Sequence, residues 1–214
     1  MKVKVPIGAR RHDLLSVMLN LERKSFAPIN ALRQKDFFHE NYIPIHHFQI
    51  IKHLDPDNGN DTLFEKLVKE YAAKHQAFDI NIERPIHTKF EPPNKYPTVR
   101  LPLKSQILLD LRRQMMERLP DGAVAVPPKH YAPKEYTPNI LLPGGKGVRD
   151  TDEEAEAFVK SLEAEKLGPL KAVGLILGNL DDVYGRNALP EPFSRWKYFP
   201  FRGEDSNQGP NEVD

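Results

Sequence analysis

The stretch IPIHHFQII, residues 43–51, has a counterpart in YTPNILLPG, residues 136–144, and these two stretches decide the fold that we predict. Both are rich in β-branched and other apolar residues, which is typical of a largely buried β-strand. Predicted helices and strands alternate along the chain on either side of each stretch. The sequence therefore predicts two halves with a similar order of elements, each with a strand that follows an approach of aromatic residues and proline.

Hydrophobic patterns predict five further strands. Alternation of apolar and polar residues indicates a strand with one buried face, and a continuous apolar run indicates a strand buried on both faces. The run AVGLIL, residues 172–177, is the best candidate for a central strand. Pro102 confines its own strand to a sheet edge, or to a position where the proline nitrogen faces away from a partner. The predicted strands are residues 15–21, 78–82, 99–103, 172–177 and 196–201.

Apolar residues with a 3.6-residue period predict four helices, which open near Ser25, Thr62, Ser105 and Thr151. Pro28 is expected in the first turn of the first helix, where its missing N–H costs least. Thr62 with Glu65, and Thr151 with Glu154, have the spacing of a capping box. Prolines within residues 85–97 predict an irregular extended connection or a lid between strands.

Composition limits the classes of function. The chain has 214 residues and 39% hydrophobic content, which suits one domain with a real core. Lys and Arg number 31 against 30 Asp and Glu, so the formal charge of +1 creates no strong field and any nucleic-acid binding must be local. Arg112 and Arg113 are accordingly expected on a solvated helix face. The lack of Cys excludes disulfides, thiolate metal sites and a thiol nucleophile.

We expect a single domain over residues 1–201, followed by a flexible tail over residues 202–214 that has little to bury. The basic residues 1–11 lack the apolar stretch of a secretory signal, and no window approaches the roughly 18 apolar residues of a membrane span. The expected protein is a soluble, cytoplasmic monomer without membrane association. A mitochondrial presequence is the alternative for the basic start.

Taken together, the two quoted strands resemble the motifs of the two-histidine phosphoesterase superfamily, which includes 2'-5' RNA ligases and cyclic nucleotide phosphodiesterases. Each family motif reads His, any residue, Thr or Ser, then an apolar residue; residues 44–49, PIHHFQ, and 137–142, TPNILL, stand in their places. The similarity spans residues 13–201 in pattern and order. It implies an α/β (α+β) fold of two pseudo-symmetric lobes of antiparallel-rich sheet, with helices packed outside around a central cleft.

In that family one His acts as general base and the other as general acid, while each hydroxyl donates a hydrogen bond to the phosphoryl group. Alternate residues of a strand share a face, so His46 and Phe48 share one face in the first motif, and His47 and Gln49 share the other. If His46 and Phe48 face the ligand, the motif keeps its imidazole and loses the hydroxyl. If His47 and Gln49 face it, the motif keeps an imidazole and has an amide, which can still donate a hydrogen bond, in place of the hydroxyl. Both histidines are therefore candidate catalytic residues.

The second motif has lost its reactive groups. Asn139 stands where the family has His, and its amide can hydrogen-bond a phosphate but cannot shuttle a proton near neutral pH. Leu141 stands in place of the hydroxyl. The sequence therefore predicts a degenerate phosphoesterase-like protein, with weak or no catalysis, that binds RNA ends or a nucleotide through Gln49, Asn139 and His130. No cofactor is expected, and no carboxylate or further His has the spacing of a metal site.

Two alternatives remain open. The first is an active 2',3'-cyclic phosphodiesterase with a rearranged acid–base pair, such as His47 with His130. His53 and His87 are further replacement candidates, although His87 and the adjacent Thr88 face opposite ways and cannot both serve one phosphate. The second is a non-catalytic structural or partner-binding protein whose cleft is filled by apolar side chains.

Overall fold

The structure is a computed structural model, and it describes residues 14–34, 42–43, 49–51, 60–88, 96–118, 138–143, 149–165, 167–178 and 196–204. The described strands are β1 (Leu14–Leu21), β2 (Tyr42–Ile43), β3 (Gln49–Ile51), β4 (Phe78–Ile82), β5 (Ile86–Thr88), β6 (Thr98–Lys104), β7 (Asn139–Pro143), β8 (Leu170–Gly178) and β9 (Lys197–Pro200). The described helices are α1 (Arg23–Gln34), α2 (Asn60–Lys74), α3 (Gln106–Glu117) and α4 (Asp152–Ala164).

All nine described strands form one curled antiparallel sheet. Its order is β2-β1-β8-β4-β6-β5, with β3 also paired to β1, β7 to β6 and β9 to β8. The central strand is β8, which pairs with β1 along one side and with β4 and β9 along the other. Its continuous apolar run is buried on both faces, so the central position predicted for AVGLIL is confirmed.

The four described helices all pack on one face of the sheet. Each of them contributes buried apolar side chains to the same core, which also holds alternate residues of the strands. The predicted α+β class, with an antiparallel-rich sheet, is therefore confirmed. No helix in the described ranges is long and apolar enough to cross a membrane.

Side-chain caps begin two of the helices where the sequence predicted them. The Ser105 hydroxyl accepts a hydrogen bond from the backbone N–H of Leu108 at 3.3 Å, at the start of α3. Thr151 accepts from the N–H of Glu154 at 3.2 Å, and the Glu154 carboxylate accepts from the N–H of Thr151 at 3.1 Å. This reciprocal capping box at α4 offsets the unpaired donors of the first helical turn.

The predicted starts of the other two helices are wrong. Since α2 begins at Asn60, Thr62 lies within the first turn and lacks the non-helical backbone that an N-cap residue needs. Since α1 begins at Arg23, Pro28 is an interior residue of that helix rather than part of its first turn. The Ser25 hydroxyl donates to the carbonyl of Glu22 at 2.9 Å, which holds the first turn of α1.

Pro102 lies in an interior strand, not at an edge. One side of β6 pairs with β7, and the other side pairs first with β5 and then with β4. The backbone N–H of Leu103 donates to the carbonyl of Pro138 in the chain leading to β7, so the nitrogen of Pro102 points to the opposite side. There Pro102 faces Glu83, just past the end of β4, where β6 changes partner. The backbone N–H of Glu83 donates to the Pro102 carbonyl at 2.8 Å, and the reciprocal bond is the one that proline cannot make.

Three further expectations need correction. Residues 85–97 are not wholly irregular, because β5 forms within them and pairs with β6. In β1 both faces are buried from Val17 to Leu21, rather than one. Arg112 is only 3% exposed because it lies beside the apolar stripe of α3, whereas the side chain of Arg113 is 60% exposed and donates to Asp110.

In the expected tail, residues 202–204 form a turn and residues 205–214 lie outside the described part of the chain.

Candidate functional site

Strand alternation gives the sheet two faces. One is covered by the helices; the opposite one is called here the open face. Paired positions in neighbouring strands point to the same side, so the registers identify the open-face positions from one end of the sheet to the other. The side chains or glycines on the open face include Met18, Asn20, Asp79, Asn81, Thr98, Arg100, Pro102, Lys104, Asn139, Leu141, Gly174, Ile176 and Tyr198.

The strand β7 presents both replaced positions of the second motif on the open face. Asn139 lies opposite Pro102, and Leu141 lies opposite Arg100. Between them, Ile140 is fully buried in the core under the helices. Asn139 and Leu141 are each half-buried, so both are within reach of a ligand on this face.

Of the first motif, the structure describes only its last residue. Gln49 begins β3 and lies opposite Ser16 in the register with β1. His46 and His47, the two candidate catalytic residues, lie outside the described residues.

The two motif strands are at opposite ends of the sheet. Four strands, β1, β8, β4 and β6, separate β3 from β7. Five interstrand steps correspond to roughly 24 Å along the sheet surface. The structure therefore does not make Gln49 and Asn139 neighbours. Only the curl of the sheet can bring its two ends toward one ligand.

Two cationic side chains accompany Asn139 on the open face. Arg100 and Lys104 are exposed residues of β6, two positions on either side of Pro102, the partner of Asn139. The Lys104 ammonium lies 3.7 Å from a Glu83 carboxylate oxygen. Arg100 has no hydrogen-bond or ion-pair partner among the described residues.

The sequence analysis missed these cations, although a signal was present. In TVRLPLK, residues 98–104, the apolar residues Val99, Leu101 and Leu103 alternate with residues that include Arg100 and Lys104. Such alternation places both cations on the face opposite the core. The second motif lies on β7, whereas both cations lie on the neighbouring strand β6.

The other half of the open face is apolar and closed. Met18 and Ile176 are fully buried there beneath Trp196, and Tyr198 packs against the same cluster. The Tyr198 hydroxyl donates to the carbonyl of Val173 at 3.3 Å. This part of the open face, over β1, β8 and β9, therefore has no room for a charged ligand. Among the described open-face residues, the exposed polar side chains lie mainly on β4 and β6, and β7 adds the half-buried Asn139.

Glycines make this closure possible. A Cβ atom built at Gly174 would lie 2.5 Å from the ring of Tyr198, and one at Gly178 would lie 2.5 Å from the ring of Trp196. Such distances are far below van der Waals contact, so the aromatic rings rest directly on the backbone of β8.

The described histidines do not belong to the open face. His87 lies opposite Val99 on the core side, where its Nε2 is 2.8 Å from a carboxylate oxygen of Asp152 at the start of α4. His75 directly follows α2, and its Nδ1 is 2.7 Å from the carbonyl of Tyr71. His53 and His130 lie outside the described residues. The described open face thus offers hydrogen-bond donors and cations but no imidazole for proton transfer.

The part of the chain that the structure describes contains no group of three or more His, Asp or Glu side chains arranged to hold a metal ion. The chemistry that the described open face can supply is therefore recognition of an anion by an amide and by charged nitrogen donors. Comparison of the sequence with models of known protein families gives no match, and a search of curated proteins gives none either.

Proposed function

We propose that this chain is a two-histidine phosphoesterase-like protein that holds the phosphate-bearing end of an RNA or nucleotide on its open face without efficient turnover. The observation that carries the proposal is the position of Asn139 on the open face, in the place of the second family histidine and beside Arg100. On this proposal, the two ends of the curled sheet correspond to the two family lobes and the open face lies along the cleft between them.

The donors near Asn139 suit a phosphate group. Along a strand, two residues span about 7 Å, so Arg100 can reach a ligand that touches Asn139. A guanidinium donates to phosphate through two parallel N–H groups, and an amide adds a further donor. The near-neutral charge of the whole chain is compatible with this because only local charges are needed.

Weak or absent catalysis follows from the same positions. A positioned general acid or base accelerates a reaction by about 10²–10⁴-fold, and the Asn139 amide supplies neither role. Leu141 has no hydroxyl to stabilise charge on the phosphoryl oxygens. Recognition is thereby retained at the second motif while its contribution to proton transfer is lost.

A non-catalytic partner-binding role is the second candidate function. The observation that favours it is the apolar closure of the open face by Met18, Ile176 and Trp196, together with Leu141 at the second motif. On this reading the open face no longer accepts a phosphate.

The decisive test is a binding titration. A short fluorescein-labelled RNA with a 2',3'-cyclic phosphate end is compared, by anisotropy at low salt, with the same RNA ending in free hydroxyls. We expect tighter binding of the phosphate-bearing RNA, and about five-fold weaker binding by Arg100→Ala, which is the effect of losing about 1 kcal/mol from an exposed charged contact. Arg113→Ala, on an exposed helix face, is the matched control and should bind as the wild type does.

Three other outcomes contradict parts of the proposal. If the two RNAs bind with equal affinity, or if the two arginine variants have equal effects on binding, the proposed phosphate site is refuted. The lack of any binding supports the partner-binding function. Robust hydrolysis of a 2',3'-cyclic nucleotide that His46→Ala abolishes shows instead that the chain is an active enzyme with a rearranged acid–base pair.

A further inference from the structure

A second surface feature lies at the end of β4, beside the C-terminal end of α4. It is a groove of about 240 Å³ where the end of β4 and the turn to β5 meet the C-terminal end of α4. Its floor is apolar and consists of Ile82, Leu162 and Leu167. Ligand sites for drug-sized molecules occupy about 300–1,000 Å³, so this groove has room for one or two amino-acid side chains.

The rim of the groove is acidic. Glu83, Glu163 and Glu165 line it, and Arg84 is the only cation among its described lining residues. The Arg84 Nε lies 2.6 Å from a Glu163 carboxylate oxygen, yet the Arg84 side chain is 83% exposed. Glu83 lies 3.7 Å from the Lys104 ammonium, so Glu165 is the rim carboxylate without an ion-pair partner among the described residues. The three carboxylates and the two cations beside them leave a net negative charge that solvent can reach.

The end of α4 adds to this negative potential. The C-terminus of a helix carries a partial negative charge and favours Lys, Arg or His in its last turn. Instead, α4 has no basic residue in its last turn, Glu163 lies there, and Glu165 follows as the C-cap residue. Two carboxylates at a helix C-terminus disfavour each other and the helix. An external cation placed there relieves both effects.

We propose that this groove binds an extended peptide segment of a partner protein in which an apolar side chain is flanked by Lys or Arg. The apolar side chain fills the floor between Ile82 and Leu162, and the flanking cations pair with Glu163 and Glu165 at the rim. Arg84 already makes one such contact with Glu163 and shows that a guanidinium fits at this helix end. The inference does not rest on the proposed phosphate site, because neither Asn139 nor Arg100 lines the groove.

The test is an NMR titration of the full ¹⁵N-labelled chain with the capped peptide Gly-Lys-Leu-Arg-Gly. We expect chemical-shift changes confined to the backbone amides that border the groove, such as those of Glu83 and Leu167. Replacing Leu by Ser, or both cations by Glu, in the peptide should weaken binding at least about five-fold, since each removes about 1 kcal/mol or more. Two variants of the protein, Glu163→Gln and Glu165→Gln, should each weaken binding several-fold. Glu117→Gln, an exposed carboxylate on α3, is the matched control.

The remaining outcomes overturn the proposal. No shift changes at millimolar peptide, changes centred elsewhere, or equal binding of the Glu-containing peptide show that the groove does not select this segment. If spermidine produces the same shifts at equal affinity, the rim is a general cation site and the apolar floor has no role. Because the substitutions change exposed side chains, a dispersed amide spectrum of each variant verifies that folding is intact.

Discussion

Substitution of Gly178 by Ala tests whether Trp196 seals half of the open face. The new Cβ atom would lie 2.5 Å from Cγ and 2.6 Å from Cδ1 and Cδ2 of the indole ring. The ring must then shift within its site or leave it. Leaving exposes roughly 200 Å² of aromatic surface, which costs about 5 kcal/mol, whereas strain from overpacking costs about 1–3 kcal/mol.

The strain of overpacking costs less than exposing the indole ring, so we expect the ring to shift and remain buried. Replacing Gly by Ala also restricts the unfolded chain, which stabilises the folded state by about 0.4–1 kcal/mol. The expected net loss is therefore about 1–2 kcal/mol in the free energy of unfolding. Urea unfolding followed by circular dichroism measures this loss. Emission of Trp196, the single Trp of the chain, reports whether the ring stays buried.

A double-mutant cycle isolates the contact. Trp196→Ala removes the ring, and in that background Gly178→Ala should be neutral or stabilising by up to about 1 kcal/mol, because only the unfolded-state effect remains. Equal destabilisation in both backgrounds would refute the reasoning, since the cost would then come from the strand itself. So would a strongly red-shifted emission of the Gly178→Ala variant, which would show that the ring leaves at lower cost than its burial implies.

Three further substitutions test the local structure, each by urea unfolding. Thr151→Ala removes one half of the capping box of α4 and should cost about 1 kcal/mol; a change below about 0.3 kcal/mol would mean that the Glu154 half alone is sufficient. Ser25→Ala should cost about 1–2 kcal/mol because the hydroxyl also accepts a hydrogen bond from the backbone N–H of Lys171 at 3.0 Å, and an unchanged midpoint would indicate that water replaces it. Arg84→Ala breaks an exposed ion pair and should change stability by less than about 1 kcal/mol, so a larger loss would reveal a packing role for its aliphatic stem.

Local patterns predicted most of the elements because they depend on neighbouring residues. The unbroken apolar run of β8 indicated a central strand, and the Thr151–Glu154 spacing indicated a helix start. The alternation in TPNILL predicted that Asn139 and Leu141 point the same way, and the structure places both on the open face. The predicted start of α2 failed because Thr62 and Glu65 have the same spacing inside a helix as at its beginning.

The candidate site was only partly accessible to such reasoning. Asn139 was identified from the motif, but Arg100 became relevant only because β6 pairs with β7. The roles of His46, His47 and His130 stay predictions, since these residues lie outside the described part of the chain. The groove combines residues 82–85 with residues 162–167, which no local pattern links.

The order of residues along this chain thus specifies the α+β class, the caps of α3 and α4 and the apolar side of β4 and β6, because backbone periodicity acts over a few residues. Which strands become partners depends on contacts between distant segments. These long-range contacts alone made β6 an interior strand and placed Pro102 where β6 changes partner. They also separated β3 from β7 by four strands. Burial of a shared core selects among pairings that are equivalent in local pattern, and this selection decided which polar side chains meet on the open face.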